Sequence, residues 1–229
     1  MLKKPLRYLC FSFFILISAC APARVAVKPP EYPGKTVTMQ EIVLQAGGGV
    51  DALKAITDVR IERLGEPYDF LNASILIRRP GTVHTRVYKF GILVKDFVVT
   101  GGELYMLAGK EASRLKEFSN EMYNAVFWWD GLEESRLSRS PDELLYVIET
   151  GEKRIFIDEG TLLPVRQELF VADTKVDIYY GKPEQGEDGY WYQSMIYITL
   201  GEFSFEVKLK KLKRNPSLTE YDFRIPVKG

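Results

Sequence analysis

The chain has 229 residues, of which 46% are hydrophobic and 27% charged, a composition typical of one globular domain. Lys and Arg number 31, as do Asp and Glu, so the formal net charge is zero and no basic excess indicates nucleic-acid binding. Thirteen Tyr and thirteen Phe, together with many Val and Ile, favour strands over helices.

The first 19 residues have the composition of an export signal. Lys3, Lys4 and Arg7 give a positively charged start, and residues 9–17 form a short apolar run. A membrane span needs about 20 apolar residues, so this run fits the central part of a secretory signal better than a transmembrane helix. Three of the 31 basic residues lie in 1–19, which leaves 28 basic against 31 acidic residues after removal of the signal.

The end of this segment, residues 17–20 (Ile-Ser-Ala-Cys), resembles the bacterial lipobox, in which small residues precede a cysteine. The resemblance implies cleavage before Cys20 and attachment of lipid to that residue, so that acyl chains hold the protein in a membrane. Cys10, the only other cysteine, lies inside the signal, so the exported chain cannot form an internal disulfide. The alternative is an uncleaved anchor, or a plain signal peptide that ends near Ala19 or Ala21.

A proline-rich stretch follows, and a helical segment begins after it. Residues 20–37 lack periodicity, and their prolines favour an extended tether that holds the domain away from the bilayer. Thr38 and Glu41 form a capping-box pattern at the start of a helix. Apolar residues at helical spacing predict two short helices, at 38–46 and 50–56, bent at the three glycines between them.

After the helices, the hydrophobic pattern changes to a period of two, which is typical of strands. Short turns such as Arg79-Pro80-Gly81 and Asp158-Glu159-Gly160 separate the strands and favour antiparallel pairing. The predicted strands are 58–65, 70–79, 82–89, 92–100 and 103–108, followed by 153–158, 162–171, 174–181, 189–200 and 202–213.

Residues 111–150 interrupt the strands. A loosely helical stretch at 113–127 is followed by a turn at 128–131, and Ser140 with Pro141 predicts the start of another helix. A single sheet of so many strands must curl to bury its apolar face, and helices must cover a concave side that stays open. The expected fold is α+β: an open, half-closed antiparallel β-barrel of about 10–11 strands, with an N-terminal helix and a helical lid insertion.

The chain offers little catalytic chemistry. His84, the one histidine, alternates with Val83, Thr85 and Val87, so we expect it to point outward as a surface residue. No serine or cysteine has a base and an orienting acid at a suggestive spacing, and no cluster of residues resembles a metal site. The sequence therefore predicts neither an enzyme nor a metal protein.

Two apolar features are candidates for lipid contact. One falls at a predicted hairpin tip, where polar residues are the rule, and the other lies in the irregular insertion. Both could instead pack across the mouth of the barrel, and that alternative stays open. Tyr and Trp suit a lipid-contacting surface because they combine an apolar body with a polar group. The candidate cavity, lid or membrane-contact residues are Phe90, Ile92, Leu93, Met122, Phe127, Trp128 and Trp129.

The layout of the mature chain resembles the LolA/LolB family of periplasmic lipoprotein carriers and outer-membrane lipoprotein receptors. The resemblance rests on residues 78–81 (Arg-Arg-Pro-Gly), 102–105 (Gly-Glu-Leu-Tyr), 158–166 and 215–218, and it covers 38–227. It implies an eleven-stranded, unclosed antiparallel barrel with a helical lid over an apolar cavity that takes acyl chains.

The resemblance also implies a function. Residues 38–229 would be a lipid-binding domain that takes acyl chains of lipids or lipoproteins, with a periplasmic carrier as a further partner and no cofactor beyond the lipid on Cys20. Ala21 is not the aspartate that retains lipoproteins in the inner membrane, which implies the outer membrane, facing the periplasm. Ile92 or Leu93 matches the exposed apolar residue that helps the anchored branch deliver cargo. The alternative is a structural or sensory envelope lipoprotein that docks a protein partner.

Overall fold

The structure, a computed structural model, describes residues 28–32, 36–112, 114–140, 142–171 and 174–225. These residues form one open antiparallel sheet of 12 strands, with one helix before it and a second helix inserted halfway along the chain. The expected signal peptide and Cys20 lie outside the described residues. Within those residues, no helix is both long enough and apolar enough to cross a bilayer.

The N-terminal helix, α1 (Met39–Gly47), begins where the sequence predicts it. Thr38 Oγ1 accepts a hydrogen bond from the Glu41 N–H at 3.3 Å, and a Glu41 carboxylate oxygen accepts one from the Thr38 N–H at 2.7 Å, which completes the capping box. The second predicted helix, at 50–56, is wrong, because the strand β1 (Ala52–Arg63) begins there. β1 pairs with a neighbour on each side along its length, and this pairing overrides the helical spacing of its apolar residues.

The remaining strands follow in chain order. They are β2 (Glu66–Arg78), β3 (Thr82–Lys89), β4 (Ile92–Thr100), β5 (Glu103–Ala108), β6 (Arg136–Ser140), β7 (Leu145–Glu149), β8 (Lys153–Asp158), β9 (Pro164–Val171), β10 (Thr174–Tyr180), β11 (Pro183–Gln185), β12 (Trp191–Gln193), β13 (Met195–Leu200) and β14 (Phe203–Arg214). The order in the main sheet is β5-β4-β3-β2-β1-β14-β13-β10-β9-β8-β7-β6, and β11 with β12 forms a separate two-stranded ribbon. β5 and β6 are the edges, so the barrel is open, as predicted.

The insertion contains one helix and two strands. Helix α2 (Leu115–Val126) confirms the helical stretch predicted at 113–127, and it contacts both β3–β5 and β13, so it crosses the concave side of the sheet. The helix predicted from Ser140 is wrong, because residues 142–144 form a turn between β6 and β7. Tyr146 and Ile148 alternate into the core from β7, and this period-two burial decides the structure there. These two strands raise the number in the main sheet to 12.

His84 points to the outer face of β3, as its parity predicts, but the expectation that it is exposed is wrong. Its side chain is 4% exposed because the C-terminal segment packs over this face. His84 Nε2 lies 2.6 Å from an Asp96 carboxylate oxygen, and its Nδ1 contacts the Asp222 carbonyl oxygen. The Phe223 ring packs against the His84 ring. On its other contact, the Arg78 guanidinium lies over the Phe223 ring, with Cζ 4.3 Å from the ring centre. The segment that covers this face is more than 130 residues away from His84 in the sequence, so strand parity could not reveal it.

Candidate functional site

The apolar interior is divided into two clusters with a cavity between them. The larger cluster includes Val59, Ala73 and Phe205, and the smaller one is built on Val87, Phe97 and Val99. Residues of both clusters line the same cavity, whose volume is about 350 Å³. Cavities that hold small ligands commonly have volumes of about 300 to 1,000 Å³, so this space is large enough for a ligand chain.

The walls of the cavity come from the first four strands, the last strand and the start of the lid helix. Inward-facing residues of β1–β4 and β14 form the floor, and α2 covers it through Leu115 and Phe118. The Phe118 and Phe205 rings pack at a centroid distance of 4.8 Å, which joins the lid to the floor. The buried and half-buried apolar residues of the lining are Val59, Ile61, Leu71, Ala73, Val87, Phe97, Leu115, Phe118, Phe203 and Phe205.

The cavity opens towards one end of the sheet. Tyr68, Ala112 and Arg114 belong to its lining and are also exposed, so its mouth lies between the β1–β2 hairpin and the start of α2. Tyr68 and Phe203 meet edge to face at this mouth, with centroids 5.9 Å apart. The entrance is therefore lined by aromatic side chains.

A few polar groups interrupt the apolar lining. Thr85 is 1% exposed, and its hydroxyl has no hydrogen-bond partner among the described residues. Lys95 lies on the inner face of β4 and is half-buried, and its ammonium group donates to the exposed Lys110 carbonyl oxygen at 2.6 Å, at the rim of the cavity. Asp69, at the mouth, forms an ion pair with Lys89 at 2.8 Å.

The four candidate residues of the insertion lie inside the protein, where they pack the opposite half of the barrel. Met122 faces the sheet from α2, and Phe127, Trp128 and Trp129 follow the helix and are all buried. The Trp128 and Trp129 rings meet edge to face at 5.5 Å, and Phe127 contacts Trp129 in the same way at 5.4 Å. The cavity beside the two tryptophans measures only about 50 Å³, so this half is filled by side chains.

The C-terminal end of the lid is held by hydrogen bonds from the sheet. The Tyr180 hydroxyl donates to the Ala125 carbonyl oxygen at 2.9 Å, and the Lys153 ammonium group donates to the carbonyl oxygens of Trp128, at 2.9 Å, and Asp130. Burial lowers the pKa of Lys153 from its ordinary value. These bonds satisfy carbonyl groups of the last helical turn and of the turn that follows it, so the lid is fixed at the end away from the cavity mouth.

The candidate residues of the hairpin tip lie in solvent. The turn between β3 and β4 exposes Phe90, Ile92 and Leu93 to 92%, 69% and 42%. Consecutive hairpins of an antiparallel meander place the β1–β2 and β3–β4 turns at the same end of the sheet, so exposed Leu64 lies at that end too. The Asp69–Lys89 ion pair joins the two hairpins. Exposed apolar side chains therefore flank the end at which the cavity opens.

Glu121 on α2 provides a pH-dependent test of how the lid packs. Its side chain is buried and accepts a hydrogen bond from the Asn124 amide at 3.0 Å. Burial raises the pKa of Glu121, and the Asn124 bond lowers it by a smaller amount. An acid whose pKa is raised on folding binds protons more tightly in the folded state, so it lowers stability as the pH rises above its ordinary range, near 4.3.

We therefore expect Glu121→Gln to raise the free energy of unfolding at pH 7, with a gain that shrinks as the pH falls towards 4. Urea unfolding at several pH values measures this difference. Glu117→Gln, on the exposed side of the same helix, is the matched control. A gain from Glu121→Gln that is constant with pH would contradict the burial of the ionised Glu121 carboxyl in the packing of α2.

No protein-family model matches the sequence, and no curated protein is similar enough to match it. Solved structures do match. A LolA superfamily protein of Nitrosomonas europaea superposes with a TM-score of 0.61 at 12% identity, over 82% of this chain and 98% of that one. A Vibrio parahaemolyticus domain described as an outer membrane lipoprotein-sorting protein domain superposes with a TM-score of 0.50 at 17% identity, over 80% of this chain and 93% of that one.

The open sheet with its N-terminal and inserted helices is therefore a LolA-like fold, the fold that the sequence resemblance implies. The low identities mean that the likeness lies in the fold, so the role of the site must be argued from its own geometry.

Proposed function

We propose that this chain binds acyl chains of lipids or lipoproteins in the cavity under α2 and assists their delivery to the outer membrane. The observation that carries this proposal is the cavity of about 350 Å³ between the two apolar clusters, which opens at the end of the sheet that carries exposed apolar side chains. A structural domain whose interior is filled by side chains would not offer that space.

The energetics support a carrier. Each CH₂ group moved from water to an apolar environment contributes about 0.8 kcal/mol, so a full acyl chain contributes on the order of 10 kcal/mol. A protein that takes such a chain through water must offer it a dry surface of similar extent. The wall residues from β1–β4, β14 and α2 provide that surface, and the few polar groups among them leave room for release.

The exposed tip supports delivery to a bilayer. Phe90, Ile92 and Leu93 project from the β3–β4 turn, and soluble proteins seldom place several large apolar side chains together at a hairpin tip. Insertion of these side chains into the headgroup region would bring the cavity mouth next to the lipid, because both lie at the same end of the sheet. An acyl chain could then pass between the cavity and the bilayer over a short distance.

The anchor completes the proposal. Residues 1–19 act as the signal peptide, residues 20–37 act as a tether that starts at lipidated Cys20 and packs on the domain through Tyr32 and Val37, and residues 38–229 form the lipid-binding domain in the periplasm. Mass spectrometry of the intact chain extracted from membranes tests this part. The expected mass is that of residues 20–229 plus acyl groups, and the mass of the uncleaved chain would contradict it.

Polar substitutions at the tip are expected to weaken membrane binding without unfolding the domain. In a mature chain with Cys20→Ser, the double change Phe90→Gln with Ile92→Gln should reduce binding to lipid vesicles by about tenfold or more, because it removes two apolar side chains from the contact. Vesicle co-sedimentation gives the binding, and urea unfolding should change by no more than about 0.5 kcal/mol since both side chains are exposed.

Leu144→Gln is the matched control, because Leu144 is an exposed apolar residue in the β6–β7 turn, at the opposite end of the sheet. Equal vesicle binding by the unchanged protein, the double variant and Leu144→Gln would show that the hairpin tip does not contact the membrane. Crosslinking from position 92 to a protein instead of lipid would favour the alternative, an envelope lipoprotein that docks a protein partner.

A further inference from the structure

The cavity wall carries two polar side chains that a plain hydrocarbon chain does not require. Thr85 on β3 and Lys95 on β4 both belong to the cavity lining. Thr85 pairs with Phe97, and Val87 pairs with Lys95, so Thr85 and Lys95 are diagonal neighbours on the inner face of the sheet. Diagonal neighbours on antiparallel strands lie about 7 to 8 Å apart, a separation that one small polar group can bridge.

The Thr85 hydroxyl is buried and has no partner in the described part of the chain. A buried hydroxyl that has left water without gaining a hydrogen bond is unfavourable, and each such group in a native protein needs an explanation, such as a functional role or a bound water or ion. Thr57 provides the contrast, because its hydroxyl is also buried on the inner face but donates to the Ala73 carbonyl oxygen at 3.4 Å. The unpaired Thr85 hydroxyl is therefore free to bond with a polar atom that enters the cavity.

The charges in the lining favour an anion. An ammonium group has three N–H donors. One hydrogen bond from the Lys95 ammonium group is present among the described residues, to the Lys110 carbonyl oxygen. Arg114 adds a second cation at the mouth, 3.8 Å from the exposed carboxylate of Glu117. Asp69 is the one carboxylate in the lining, and Lys89 neutralises it. Lys95 is thus the cation of the lining that has no carboxylate partner among the described residues, whereas the one acid of the lining, Asp69, is already paired.

We propose that the cavity selects a lipid with an anionic group, a carboxylate or a phosphate, which binds beside Thr85 and Lys95 while its acyl chain lies against Phe118 and Phe205. This inference rests on the proposed acyl-binding function and names the class of cargo. The acylated N-terminus of a lipoprotein carries ester and amide groups without such an anion, so the inference favours a fatty acid or an anionic phospholipid as cargo.

The test compares three single-chain lipids by calorimetric titration of the mature chain with Cys20→Ser. Palmitate supplies a carboxylate, 1-palmitoyl lysophosphatidate a phosphate, and 1-monopalmitoylglycerol no charge. Lys95→Met should weaken binding of at least one of the anionic lipids by roughly tenfold or more, since charge-assisted hydrogen bonds are the strong ones, while the neutral lipid changes by less than about twofold. Loss with palmitate alone identifies a carboxylate, and loss with lysophosphatidate alone identifies a phosphate.

Thr85→Val should weaken binding of the same anionic lipid, because valine removes the hydroxyl and keeps the shape of the side chain. The neutral lipid should bind as tightly as before or more tightly. Thr57→Val and Lys208→Met are the matched controls, the first for a buried hydroxyl and the second for an exposed lysine outside the cavity. Equal affinities for the three lipids, or an equal loss for all three in Lys95→Met, would overturn the anionic class and leave acyl binding in place. Binding of none of them would overturn the proposed function itself.

Discussion

Ala73→Phe is expected to abolish saturable acyl-chain binding while the domain stays folded. Ala73 lies on the inner face of β2, is buried and forms part of the cavity wall. A phenyl ring at this position projects into the space between the two apolar clusters and occupies the path of the chain. Displacement of a fluorescent fatty acid should show a loss of affinity of at least about a hundredfold, the equivalent of a few CH₂ contacts.

The same substitution is also expected to have a limited effect on stability. Overpacking a filled core costs about 1 to 3 kcal/mol, but here part of the added ring enters existing space, so the cost should fall at or below the lower end of that range. Ala108→Phe, at the exposed end of β5 and outside the cavity, is the matched control. Fatty-acid binding by Ala73→Phe at the level of the unchanged protein would show that the chain binds elsewhere.

Phe127→Ala is expected to lower the free energy of unfolding by about 3 to 5 kcal/mol, the usual cost of truncating a buried aromatic residue. Phe127 is 1% exposed, follows the lid helix directly and packs against both Tyr123 and Trp129. Its removal leaves a void in the half of the barrel that side chains fill, where little space exists for relaxation. Urea unfolding followed by tryptophan fluorescence measures the loss.

Phe170→Ala, an exposed phenylalanine on β9, is the control and should change stability by about 0.5 kcal/mol or less. The comparison also separates the two interpretations of the aromatic insertion. Truncation of a core residue lowers the stability of the protein, whereas truncation of a membrane-contact residue lowers its binding to vesicles. If Phe127→Ala kept its stability and lost vesicle binding, the burial of this segment beneath the sheet would be contradicted.

The strands could be predicted from the sequence because their side chains alternate between core and solvent. The five strands from β1 to β5 were expected within a few residues of their bounds, apart from an earlier start of β1 and β2. The helix predicted at 50–56 is wrong because Val50 and Leu53 satisfy a helical spacing as well as a strand pattern. β6 and β7 are short strands that depend on pairing, of β7 with β8 and of β6 with β7, and Ser140-Pro141 imitates the start of a helix.

The site was predictable only in part. An apolar hairpin tip is visible as a local departure from the rule that turns are polar, which is why Phe90, Ile92 and Leu93 could be named in advance. The cavity is different, because its wall joins residues as far apart in the sequence as Val59 and Phe205, and its volume depends on which side chains meet beneath α2. Packing, and not the sequence pattern, decides that the half near Trp128 is filled and that the half near Phe97 is open.

Photo-crosslinking with palmitate that carries a diazirine at its terminal carbon tests the central claim most directly. The label reacts with the side chains nearest to the end of the bound chain, and peptide mapping identifies them. Binding in the cavity predicts labels at Phe118, Phe205 or their neighbours in the wall, with loss of these labels in Ala73→Phe. Labels confined to the exposed tip around Phe90, or to the outer face of the sheet, would contradict the account.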